Sequence, residues 1–369
     1  MSSIRSNVGN GVSEIRALTG LRGIASLYVV LFHYFQPLPL VGYLRTLLGH
    51  GYLAVDLFFV LSGFVMALNY GSRFAAGAHW PEYRLFLCRR FARVYPLFLF
   101  ASVVGYVLVR IGRLEFTGPS LNAALSTNAV LIQNWGFWES IDTPSWSISA
   151  EWFAYIVFPI LLALLYRGRR LMAAVGGLCL LCLVGLNLYG LRTSDTGKLF
   201  DFTRGPLSLI RCVSEFWLGM LLVRIGLSPA IVAYKRKAWV SYTVSAAILL
   251  LLTVPKTDLV LVCFFPLLIL SLTGRPNLIT RVLGCRTIGY LGLLSFSIYL
   301  LHVLLNGLIE SVDHKVHAFG YMHSHSYGVA VGLLMLFPLS ALTYRIIEVP
   351  GRRWLRGVLE GRSAKTVGP

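Results

Sequence analysis

Two ionisable residues stand inside the first apolar stretch of this chain, Arg22 and His33, 11 positions apart. At about 100° per residue, that spacing is three helical turns plus about 20°. On an α-helix both side chains leave one face, separated by about 16 Å along the axis. Arginine's planar fork suits phosphate, and imidazole suits proton transfer near neutral pH. Ionisable groups within membrane segments are expensive, and such residues mark function by default. The pair reads as an anion site and a general base sharing one track. The other reading is an arginine that snorkels and a histidine hydrogen-bonded between helices.

The second apolar stretch buries Asp56 near its start, at a depth close to that of His33. Asp56 either orients or charge-balances the imidazole or caps the helix. Ser62–Gly63, further along, lets a neighbouring helix approach closely, and no elbow motif marks Ser62 as a nucleophile. Trp146, Ser147 and Glu151 open the fourth stretch. Trp146 suits stacking on a sugar, and Glu151 is a second acid/base or an acceptor ligand. Against these stand an interfacial aromatic belt and a helix-start carboxylate. His302, mid-way through the ninth stretch, either lines the same cavity or is structural. Arg211 and Glu215, four apart, are expected to neutralise each other. His314, His317, His323 and His325 offer imidazoles in an outer segment, but without a defined scaffold no metal is expected there. No P-loop or dinucleotide fingerprint is present.

The elements carrying these residues follow from composition. Of 369 residues 56% are apolar and 13% charged, against roughly 25% charged in a soluble domain. One core cannot bury that much apolar surface, so the solvent is largely lipid. Ten stretches near the about 20 residues needed to span a bilayer cover 18–35, 52–70, 95–111, 149–166, 171–190, 206–223, 238–254, 259–272, 288–309 and 327–347. The segment 121–138 carries Asn122, Asn128, Gln133 and Asn134 and reads as a re-entrant or interfacial helix. The fold class is therefore all-α, a polytopic integral membrane protein of about ten transmembrane helices.

The net charge of +18 does not point to nucleic acid. Its clusters, among them Arg73 to Arg93 and Arg345 to Lys365, fall between alternate apolar stretches, the positive-inside pattern. Both termini are then cytoplasmic. The expected division is a tail over 1–14, a membrane domain over 15–350 and a basic tail over 351–369. No signal peptide is expected ahead of the first stretch. None of the six cysteines falls in an outward loop, which argues against disulfides, and Cys179-x-x-Cys182 lies within an unbroken apolar helix, as packing residues.

Five segments, taken in order, resemble the acyltransferase 3 family of polytopic membrane acyltransferases. Arg22 and His33 match its Arg-x10-His motif. The run Val55-Asp-Leu-Phe-Phe-Val-Leu-Ser-Gly-Phe64 is similar to its second signature, and Arg90-Phe-Ala-Arg93 to its cytoplasmic Arg-x-x-Arg element. Pro144-Ser-Trp-Ser-Ile-Ser-Ala-Glu151 resembles its Trp-Ser-x-x-x-Glu segment. Ser295-Phe-Ser-Ile-Tyr-Leu-Leu-His302 resembles its late Tyr-Leu-x-His motif. The resemblance implies an inner-membrane enzyme that moves an acyl group, usually acetyl, from cytoplasmic acetyl-CoA to a hydroxyl of a glycan or glycoconjugate. Some members carry a C-terminal esterase-like domain, which is not expected here.

On that basis His33 is expected as the base, with Asp56 orienting or charge-balancing it and Glu151 as a second acid/base candidate. Arg22, with Arg89, Arg90 and Arg93, is expected to hold the CoA phosphates. Trp146, Ser147 and His302 are expected to bind acceptor. The partners are the lipid bilayer, acyl-CoA and the acceptor, with no metal. Three alternatives stay open: a transporter or flippase using Arg22, Asp56, Glu151 and His33 as a relay, an enzyme acting on a small molecule, and a covalent acyl-enzyme on His33 or Ser62.

Overall fold

A computed structural model describes residues 15–36, 41–74, 79–136, 140–194, 198–235, 237–318 and 324–361. Among the described residues there is no strand. The helices in chain order are α1 (Arg16–Phe35), α2 (Gly42–Gly49), α3 (Ala54–Phe74), α4 (Trp80–Arg110), α5 (Leu121–Ala129), α6 (Trp146–Arg167), α7 (Arg169–Thr193), α8 (Gly205–Ile225), α9 (Pro229–Lys235), α10 (Ala238–Leu251), α11 (Asp258–Leu272), α12 (Leu278–Leu283), α13 (Arg286–Leu301), α14 (Asn306–Ala318), α15 (Ser324–Thr343) and α16 (Val349–Leu359). A π-helical turn, Tyr344–Glu348, joins α15 to α16.

All ten apolar stretches are helical. Among the described residues seven helices are long and apolar enough to cross a membrane, and the pair Arg286–Leu301 and Val303–His317, bent by 53°, makes an eighth if it is one broken span. The remaining two, α10 and α11, have 14 and 15 residues, short of the about 20 that an untilted crossing needs.

Three segments depart from the sequence expectation. Arg84 to Arg93 belong to a helix, not a loop. α4 runs 31 residues, about 46 Å, so it outreaches a hydrocarbon core of about 30 Å and carries its basic turns to the edge. The stretch beginning at Leu121 forms only the nine-residue α5 and then turns through residue 136; Trp138 lies outside the described residues. The basic tail expected from residue 351 is helical through Leu359, because the π turn carries α15 straight into α16. Residues 1–14 and 362–369 lie outside the described residues.

Two glycine-mediated crossings position the chemistry. Lipid tails are as apolar as leucine, so membrane helices associate by close packing, and small residues permit it. At the α1–α13 crossing a Cβ on Gly23 would sit 2.6 Å from the Gly292 nitrogen, and just before it one on Gly20 would sit 1.9 Å from the Leu283 carbonyl oxygen at the end of α12. At the α3–α8 crossing a Cβ on Gly63 would sit 1.9 Å from the Phe216 carbonyl oxygen. The close approach expected at Ser62–Gly63 is made by α8. The first crossing brings His33 to His302, and the second brings Asp56 to Arg211.

Candidate active site

A cavity of about 160 Å³ lies between α1, α3, α4, α6 and α13. Arg22, Arg90 and Arg93 line it towards the end of the bundle where α1 begins, and Ser147 and Tyr299 line it towards the other. The spacing of Arg90 and Arg93, one turn apart on α4, turns both guanidinium groups to one side; Arg89, about 100° round, points instead to Glu360 at 3.1 Å. Arg90 lies over the Tyr70 ring, 5.6 Å from its centroid, and its buried Nε has no hydrogen-bond partner. Arg22 makes no hydrogen bond to another described residue. Glu348, placed by the π turn, accepts from Ser297 Oγ at 3.1 Å and lies within electrostatic reach of Arg93, Arg352 and Arg22.

The middle wall is a hydroxyl–carboxylate cluster. Ser147, Glu151 and Tyr155 follow at i+4 intervals, so α6 offers all three to the cavity. Ser62, from α3, donates to the Glu151 carboxylate, and Tyr155 donates to the same oxygen at 2.5 Å. At the far end the Tyr299 hydroxyl donates to the Pro144 carbonyl at 2.9 Å and meets Ser147 Oγ at 2.8 Å.

The two histidines sit behind Tyr299, not on the cavity wall. The Tyr299 ring centroid is 6.0 Å from that of His302, which is 4.9 Å from that of His33. His302 is fully buried, with Nδ1 2.6 Å from the Tyr299 carbonyl oxygen. That bond assigns the proton to Nδ1 and leaves Nε2 as an acceptor. His33 Nδ1 lies 3.2 Å from that Nε2 and 3.0 Å from the Val29 carbonyl oxygen, so it carries a proton shared between the two. The consequence is a free lone pair on His33 Nε2, on a half-buried ring. His302 thus orients His33 as a carboxylate orients the histidine of a hydrolase triad. Lys198, over the Phe32 ring at 4.6 Å, and Asp201 are the charges that act on His33.

Other expected site residues are placed differently. Asp56 does not meet His33: it is wholly buried against Arg211, whose Nε and Nη2 donate at 2.8 and 2.6 Å to its two oxygens. A fork on helix α8 matches a carboxylate on α3 bidentately, so Arg211 is satisfied by Asp56 first, and Glu215 stands off at 3.9 Å. Trp146 is buried, its ring nearly perpendicular to that of Phe59 and covered on one face by Arg211 at 5.3 Å, so it presents no open stacking platform to a sugar. His302 orients His33 and does not line the cavity, and Arg89 is an ion-pair partner of Glu360. His314 and His317 lie on helix α14, not in a loop, and among the described residues no group of three metal-ligating side chains forms. His323 lies outside the described residues.

Tyr155, Tyr299 and Glu348 were not singled out from the sequence as site residues. Tyr155 stands i+4 from Glu151 and Tyr299 i−3 from His302, a helical signal available once one partner is chosen. Glu348 gives no such signal, because the π turn that aims it breaks the helical period.

The profile of the Acyltransferase domain family matches residues 15–345. The chain is similar to Acyltransferase MdmB of Streptomyces mycarofaciens, 31% identical over 163 residues, which covers 40% of this chain and 39% of that protein. It is similar to Protein 2 in picA locus of Rhizobium radiobacter, 44% identical over 87 residues, 23% of this chain and 40% of that one. To O-acetyltransferase OatA of Staphylococcus aureus it is 21% identical over 360 residues, 91% of this chain and 57% of that protein. The chain thus spans less than two thirds of the length of these relatives. No solved structure matches it with significance. With its five motif segments converging on one cavity and the histidine pair behind it, and with the profile matched over nearly the whole chain, this chain belongs to the acyltransferase 3 family of multi-pass membrane acyltransferases.

Proposed function

We propose that the protein takes an acetyl group from acetyl-CoA at the arginine end of the cavity and transfers it to a hydroxyl of a glycan or glycoconjugate, in an inner membrane, with His33 as general base. The observation that carries this reading is the alignment along α1. Arg22 lines the cavity at one end, while His33, on the same helix face, meets His302 behind its far wall. The donor's polyanionic end suits three guanidinium groups with one nearby buried carboxylate, and the unpartnered Arg90 Nε is a donor that awaits an acceptor. Family membership favours transfer over a transport relay. The relatives named as acyltransferase and O-acetyltransferase support an acyl group, and the latter supports an alcohol acceptor.

In the transfer, the acceptor O–H gives its proton to His33 Nε2 as the oxygen bonds to the thioester carbonyl carbon. The C–S bond then breaks, and the thiolate leaves with the proton returned from the imidazolium. Tyr299 closes the passage between cavity and base by hydrogen bonds to Ser147 and Pro144, so its side chain turns aside for the acyl group to pass. Asp56 and Arg211 act as positioning residues for α3. A small-molecule acceptor leaves the roles unchanged.

A second reading rests on Ser62. It is a cavity-lining aliphatic hydroxyl hydrogen-bonded to a carboxylate, so Glu151 would accept its proton and an acyl-serine would form before the acceptor arrives. Purified protein with radiolabelled acetyl-CoA and a polysaccharide acceptor separates the readings. Label reaches acceptor with wild type and is lost in His33→Ala at an unchanged elution volume. Protein labelled without acceptor, and not in Ser62→Ala, establishes the covalent route. Acceptor movement without CoA release overturns both.

A further inference from the structure

Resting on the donor reading, we infer that α16 is the second jaw of the donor's phosphate site: Arg352 and Arg356 face Arg89 and Arg90 across the groove between α16 and α4 and hold phosphate groups at the nucleotide end of acyl-CoA. The matched family region stops at residue 345, so this helix lies outside it.

The helix is fixed at both ends against α4. Near its start a Cβ on Gly351 would sit 2.5 Å from Pro96 Cβ. At its end Glu360 accepts from Arg89 Nε at 3.1 Å. Arg352, Arg356 and Glu360 succeed one another at i+4 and share an arc about 80° wide. The charges acting on Arg356 are those of Arg352, Arg90 and Arg89, opposed by Glu360, and Arg352 acts in turn on Glu348 beside Arg93. Like charges that act on one another repel unless an anion stands among them. Glu360 is already bonded to Arg89 and Glu348 to Ser297, so the carboxylates in reach are engaged. Arg90 belongs to both places: it lines the cavity and acts on Arg356. A polyanion gripped between the helices therefore has its thioester arm directed past Arg90 towards Ser62 and Tyr299.

Two sources of phosphate could meet such a face, a nucleotide and a lipid headgroup. The exposed Trp354 and Val358 lie on the opposite side of α16, which assigns the bilayer surface to that side and leaves the arginine arc to the nucleotide.

The test compares two donors with full-length protein in detergent. S-acetylpantetheine has the thioester arm and no phosphate. In Arg352→Gln/Arg356→Gln the KM for acetyl-CoA is expected to rise about tenfold at unchanged kcat, that for S-acetylpantetheine to stay at the wild-type value, and the paired lysine substitutions to restore most of the affinity. Arg356→Gln alone, at an exposed position, gives a smaller shift of the same sign even if the double variant fails to fold. An unchanged KM for acetyl-CoA overturns the inference and leaves the donor reading standing. So does a shift seen only in phosphatidylglycerol vesicles and absent in detergent, which assigns the face to lipid. No transfer from acetyl-CoA by wild type overturns the donor reading itself.

Discussion

Removing either partner of the Asp56–Arg211 pair is expected to destabilise the protein, and by unequal amounts. The pair is bidentate at 2.6 and 2.8 Å, with side chains 0% and 1% exposed. Breaking a buried ion pair by deleting one member costs about 3–5 kcal/mol, because the survivor is left as an uncompensated charge. Asp56→Asn leaves Arg211 with Glu215 3.9 Å away as a substitute, so it belongs at the lower figure. Arg211→Leu leaves two carboxylates together with no cation, so it belongs at the upper one. At about 2–4 °C per kcal/mol, Tm falls by about 10 °C and about 15 °C respectively. Thermal unfolding in mild detergent, followed by tryptophan fluorescence, reads both, since Trp146 lies under Arg211. The double variant Asp56→Asn/Arg211→Leu is expected to be less destabilised than the sum of the singles. Two singles within about 2 °C of wild type, or an Asp56→Asn loss larger than that of Arg211→Leu, would refute the reasoning.

Gly63→Val should prevent assembly of α3 on α8, since its Cβ would meet a backbone oxygen at 1.9 Å, whereas Gly177→Ala, with nothing within 4 Å of a new Cβ, should leave yield and Tm unchanged or slightly raised; size-exclusion profiles decide. His302→Phe should lower kcat about 10²-fold at constant KM by freeing the His33 tautomer, and a raised KM with intact kcat would instead place His302 in acceptor binding. Asp142 lies in the loop before α6, buried and with both carboxyl oxygens unbonded, and burial pushes its carboxyl well above the usual range. The folded state then holds a proton that the unfolded chain releases near pH 4, so this contribution to stability is present below about pH 4 and is lost as pH rises through the folded value. Asp142→Asn should remove that slope, and Tm measured from pH 4 to 8 in both proteins checks it.

Composition and local spacing fixed a good deal by themselves. An apolar content of 56% forces lipid as solvent, backbone satisfaction in lipid then forces helices, and all ten apolar stretches are helical. The 11-residue interval set Arg22 and His33 on one face of α1, and the one-turn spacing of Arg90 and Arg93 sends both into the cavity. These are properties of a single helix, where residue number alone sets direction. Partner choice is not. Asp56 was legible as a buried charge, yet its partner is 155 positions away on α8, chosen by a crossing that Gly63 and Gly219 allow. Trp146 was legible as an aromatic at a helix start, but the same arginine covers it. The orienting contact between His302 and His33, the Tyr299 closure and the α16 jaw all join elements far apart in the chain. Local periodicity assigns a side chain to a face, and only the packing of one helix on another decides what that face meets.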